Sequence, residues 1–82
     1  MNIISYWPAP EGGRTKAHFD IEIMEGLRIC GLKLVVNEQG QYRTIAPQLG
    51  TRRTVTMLPE VATQITGAAV ARMKGLQPND RN

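Results

Sequence analysis

From Lys16 to Met24 the apolar residues Ala17, Phe19, Ile21 and Ile23 recur at every second position, and this period constrains the chain more than any other feature. A period of two belongs to a β-strand with one buried face, because successive side chains leave a pleated backbone on opposite sides. The other face then carries His18, Asp20 and Glu22. Glu25-Gly26 supplies a turn into a second apolar run, Leu27 to Val36, and Asn37-Glu38-Gln39-Gly40 supplies another into Gln41 to Ile45. Short turns of this kind join antiparallel neighbours, so the middle of the chain is a β-meander.

The flanks extend this pattern. Residues 2 to 7 read as a leading strand, cut off by the loop Pro8-Ala9-Pro10-Glu11-Gly12-Gly13, where proline lacks a donor and glycine is loose. Within the second run, Leu27 and Ile29 share one phase while Leu32, Leu34 and Val36 share the other, and Gly31 marks the change, as at a bulge or a close backbone approach. Read as a strand buried on both sides, it has more apolar surface than one helix covers, which predicts homodimerisation through the sheet or its edge. Ala46-Pro47 ends the next strand, Gln48 to Arg53 reads as a polar loop, and Thr54 to Met57 as a brief further strand.

Pro59 suits the first helical position, and Val61, Ala62, Ile65, Ala68, Ala69 and Met73 form one stripe at helical spacing up to about Lys74. Glu60 and the pair Arg72 and Lys74 complement the two ends of the helix dipole, and Gly75 fits a left-handed cap. The expected fold is α+β, a four- to five-stranded antiparallel sheet with one C-terminal helix packed on one face. Residues 1–75 form the single domain and 76–82 a flexible polar tail.

Eighty-two residues with ten Lys and Arg against seven Asp and Glu give a net charge of +3, which permits a polyanionic partner without demanding one. Cys30 is the single cysteine; it excludes a disulfide within one chain, fits a reducing compartment, and reads as a small buried hydrophobe. The first residues lack the basic start and apolar run of a signal peptide, and no stretch reaches the roughly 18 apolar residues of a membrane span, so a cytoplasmic protein with no membrane partner is expected.

Arg52 and Arg53 stand beside Gly50 and two threonines, a composition that can follow a phosphate backbone, and Arg14 and Lys16 beside Gly12-Gly13 extend the same basic set. Gly12-Gly13-Arg14-Thr15-Lys16 is not a nucleotide-binding P-loop, because the spacing is wrong and a strand follows it. Tyr6 and Trp7 are expected to pack over the edge of the core, with base stacking as the alternative use. His18 has no second histidine or nearby cysteine to complete a metal set. Asp20 and Glu22 share a face but lack a nucleophile, so they are assigned to solubility or to pairing with Arg28 or Lys33. No catalysis, cofactor or small-molecule substrate is expected.

The strand opened by Lys16-Ala17, the acids Asp20 and Glu22 within it, the run Leu27-Arg28-Ile29-Cys30-Gly31-Leu32-Lys33-Leu34-Val35-Val36, the Asn-Glu-Gln-Gly turn, the Ala46-Pro47 ending and one terminal helix together resemble the SpoVG family of small bacterial regulators. The resemblance spans most of residues 2 to 74. It implies a four-stranded antiparallel sheet with a helix, a dimer, and site-selective DNA or RNA binding, with no catalysis. Arg52 and Arg53 stand where the family carries its basic stretch. The expectation is therefore a dimeric nucleic-acid-binding regulator that contacts phosphates through Arg52, Arg53, Arg14 and Lys16. The alternative is a scaffold that binds a partner protein through its open sheet face or edge.

Overall fold

The computed structural model describes residues 1–75; the tail expected over 76–82 lies outside them. Four strands, β1 (Asn2–Pro8), β2 (Thr15–Met24), β3 (Leu27–Val36) and β4 (Tyr42–Ile45), form an antiparallel sheet in chain order. A separate ribbon of two short strands, β5 (Gln48–Leu49) and β6 (Arg52–Arg53), leads to the helix α1 (Pro59–Met73). The α+β class, the antiparallel sheet and the C-terminal helix on one face are as the sequence predicts. The brief strand expected over Thr54–Met57 does not form, and the polar loop expected from Gln48 to Arg53 instead closes as the β5–β6 hairpin. Gly50, with φ +62°, takes the positive φ that a type II′ hairpin turn requires at its first central residue.

The phase change in β3 is a bulge, and it decides which side of the sheet is greasy. Phe19 faces Leu32 and Ile21 faces Ile29, so Cys30 and Gly31 together occupy the span where β2 has Asp20 alone. Gly31 adopts φ +84°, a region that costs an L-residue roughly 1 to 2 kcal/mol. Its N–H, lost to the regular ladder, donates to Asp20 Oδ1 at 3.0 Å. Because the bulge absorbs one residue, Ile29, Leu32 and Leu34 all emerge on the same side. The bulge read at Gly31 is thus present, the alternative of a strand buried on both sides is not, and the apolar second face from which a homodimer was inferred goes with it. Cys30, expected as a buried hydrophobe, is exposed because the bulge turns it out of the core.

The core is one layer between sheet and helix: Ala17, Phe19, Ile21, Leu32, Leu34, Ile65 and Ala69 are fully buried. Burying each larger apolar side chain contributes about 1.5 to 3 kcal/mol. Small residues let α1 lie close to the sheet and cross all four strands, with most contact to β4 and β1. Thr44 on β4 meets Thr66 on α1 at 2.7 Å between hydroxyls. The Thr66 hydroxyl donates to the Ala62 carbonyl at 2.8 Å, so Thr44 is the donor of the bond between helix and sheet.

Local signals fix the element ends. Asn37 Oδ1 accepts from the N–H groups of Gln39 and Gln41, each at 2.9 Å, which shapes the β3–β4 turn while Gly40 takes φ +81°. Pro59 opens the helix after Leu58, which offers no side-chain cap, and Gly75 closes it with φ +79° and an N–H donated to the Arg72 carbonyl. The Arg72 guanidinium lies 5.7 Å from the Tyr6 ring centroid, tying the last helical turn to β1. Burial pushes the Tyr6 phenol above its ordinary 10.0, Arg72 opposes that rise and Tyr42 adds to it.

Two glycines separate backbone strain from space. A Cβ at Gly31 would meet Pro47 Cβ at 3.9 Å, an ordinary contact, so Gly31→Ala suffers only from its positive φ and should lose about 1 to 2 kcal/mol in urea unfolding. Gly67 lies within the helix, and a Cβ added there would have no neighbour within 4 Å. Gly67→Ala should therefore gain about 0.5 to 1 kcal/mol in the same assay.

Candidate nucleic-acid interface

The sequence-predicted basic residues do not converge on one point. Arg14, in the β1–β2 loop, is ion-paired to Glu38 of the β3–β4 turn at 3.0 Å, and both side chains are exposed. It therefore ties two loops together at one end of the sheet, where a solvated pair contributes at most about 1 kcal/mol. Lys16 is half-buried at an irregularity in β2, where Thr15 faces Val35 and Ala17 faces Leu34. Arg52 and Arg53 are both exposed in β6, and as strand neighbours they leave on opposite sides. The structure thus splits this adjacent pair.

Arg53 joins a residue outside the sequence-predicted set. A hollow of about 320 Å³ opens at the β4 edge between the β5–β6 hairpin and the start of the helix. Arg43, Gln48, Arg53 and Thr56 supply its polar wall, Ile45, Val55, Met57 and Ala62 its apolar wall, and no carboxylate lines it. Arg43 and Arg53 in the lining of a hollow that no carboxylate lines form a setting suited to a phosphate or another anion, which planar forked donors bind through paired hydrogen bonds. Among the described residues Arg14–Glu38 is the one ion pair, so neither Arg43 nor Arg53 is neutralised by a described carboxylate.

The helix-free face of the sheet carries more basic than acidic side chains, interspersed with Trp7, Val35 and Ile45. Its register places Trp7 beside His18, His18 beside Lys33, and Lys33 beside Ile45, a row across all four strands. Lys16, Arg28 and Arg43 belong to the same face. Its two acids are engaged by the backbone: Asp20 accepts from Gly31 N–H, and Glu22 Oε2 accepts from Gly26 N–H at 3.3 Å. Glu22 stands opposite Arg28 in register without an ion pair between them. Tyr6 packs against the core as expected, whereas Trp7, expected to do likewise, points to the open face and is 52% exposed. Sequence reasoning singles out neither Arg43 nor Lys33 as a site residue, since their shared face follows from strand pairing and not from proximity along the chain.

Among the described residues no cluster of His, Cys, Asp and Glu could hold a metal ion, and no helix is long and apolar enough to cross a membrane. No family model matches the chain, and neither a curated protein nor a solved structure matches it.

The positions of the arginines order their expected importance for an anionic partner. Arg53→Ala should weaken nucleic-acid binding more than Arg14→Ala, whose charge is already shared with Glu38, when the two variants are compared by fluorescence anisotropy at low salt.

Proposed function

We propose that this chain is a non-catalytic nucleic-acid-binding regulator that engages phosphates at the hollow beside β4. The observation that carries this reading is that both Arg43 and Arg53 line one concave space with no lining carboxylate. Arg52, on the other side of the same hairpin strand, and Lys16, half-buried in β2, are further basic residues that do not line it. Arg14 contributes to loop geometry rather than to the primary contact. The resemblance to the SpoVG family supports the same class of activity, and the net charge of +3 is compatible with it.

Phosphate contacts displace condensed counterions, so the salt dependence of binding counts them. The double variant Arg43→Ala/Arg53→Ala should bind labelled DNA or RNA more weakly than the parent. It should also flatten the log-log salt slope by about 1.4 to 1.8, from two contacts at about 0.7 each on a single strand or 0.9 each on duplex. Absence of binding to single-stranded DNA, duplex DNA and RNA at about 50 mM salt, or a double variant with unchanged affinity and slope, would refute the assignment.

Of the two surfaces the sequence suggests for a homodimer, the sheet face or its edge, the edge is the one proposed. Met1, Ile4, Met24 and Leu27 are exposed large apolar residues. Register places them at one end of the β1–β2–β3 sheet, beside the unpaired edge of β1. A second copy covering this end would bury them and leave the hollow at the opposite edge free. Light scattering should give a mass of two chains for the parent and one chain for Ile4→Glu/Leu27→Glu; a parent that stays monomeric at tens of micromolar removes the dimer.

A further inference from the structure

We infer that the helix-free sheet face binds an unpaired nucleic-acid strand, with Trp7 as a base-stacking platform and the hollow at β4 as the phosphate anchor. This inference rests on the nucleic-acid reading above and deepens it by naming the class of strand.

Three observations point to a single track. Trp7 is half exposed, on a face without a helix over it and opposite His18 in register, so part of its ring is open to solvent. The row Trp7, His18, Lys33, Ile45 crosses the sheet, and Ile45 also lines the hollow that holds Arg43 and Arg53, so the row and the hollow are continuous. At a strand spacing of about 4.8 Å, the backbone of Trp7 and that of Ile45 are separated by about 14 Å, a span across which Lys33 stands between aromatic ring and anchor.

Charge favours the same occupant. The acids of this face, Asp20 and Glu22, are committed to the backbone donors of Gly31 and Gly26, while Lys33, Arg43 and Arg53 have no ion-pair partner among the described residues. A second copy laid face to face here would oppose like charges, whereas a polyanion with exposed bases satisfies both the cations and the ring. Duplex DNA presents phosphates but keeps its bases stacked, so it can use the hollow and not Trp7. An unpaired strand can use both.

The chain has one tryptophan, so its fluorescence reports on this position alone. Titration of the full chain with oligothymidylate should quench that emission, and duplex of the same length should leave it nearly unchanged. Trp7→Ala should lower affinity for oligothymidylate on the order of 10-fold while duplex affinity stays within about twofold, and Trp7→Phe should restore most of the loss. Trp7 is exposed and outside the buried core, and a circular dichroism spectrum and melting curve like the parent's would show that each variant is folded. Unchanged oligothymidylate affinity in Trp7→Ala, or equal quenching by duplex, overturns the stacking assignment while leaving the Arg43 and Arg53 anchor standing. A parent that binds no nucleic acid at all overturns both.

Discussion

One hydrogen bond, from the Gly31 N–H to the Asp20 carboxylate at 3.0 Å, holds the register on which both faces of this sheet depend. Without an extra residue in β3, the alternation that buries Leu32 and Leu34 would send Ile29 outward. The bulge returns Ile29 to the helix side, and the glycine adopts the backbone this needs without steric strain. A carboxylate accepting a backbone donor is a stronger partner than a neutral acceptor, so Asp20 both satisfies the stranded N–H and fixes where the bulge sits. The same bond withdraws an acid from the open face.

From this constraint the division of labour in the molecule follows. With the apolar residues of β2 and β3 gathered on one side, a single small-residue helix suffices to seal them, and the Thr44–Thr66 contact and the Arg72–Tyr6 contact secure it to opposite edge strands. The other side is left to Trp7, His18, Lys33 and Arg43. The β5–β6 hairpin adds Arg53 at the β4 edge, where a short ribbon without core of its own can carry charge at little structural cost. Stability thus resides in one face and recognition, in our reading, in the other.

Much of this is legible in the sequence, for physical reasons that differ from element to element. The period of β2 and the turn residues Gly26 and Gly40 predict the meander, and Pro59 and Gly75 bracket the helix, because each acts through local backbone sterics. Gly31 is recognisable as a bulge candidate, yet the side-chain pattern around it suggests two apolar faces, because residue phase cannot be carried across a bulge without knowing how many residues it absorbs. Cys30 is misplaced by the sequence pattern for the same reason. The β5–β6 hairpin escapes a sequence reading because two-residue strands have no period to detect. Arg52 and Arg53 are identifiable as neighbours in the chain, but Arg43 and Lys33 become part of the candidate site only through pairing across strands. Arg14 looks like a free cation until Glu38, distant in sequence, is brought beside it.

The claim that recognition belongs to the helix-free face and its adjoining hollow is tested most directly by mapping backbone amide chemical shifts in an NMR titration with oligothymidylate. The account predicts that the largest changes fall on Trp7, His18, Lys33, Arg43, Ile45 and Arg53, with the amides of α1 from Ile65 to Ala69 nearly still. Changes concentrated on α1, with the Trp7 to Ile45 row unmoved, would contradict it.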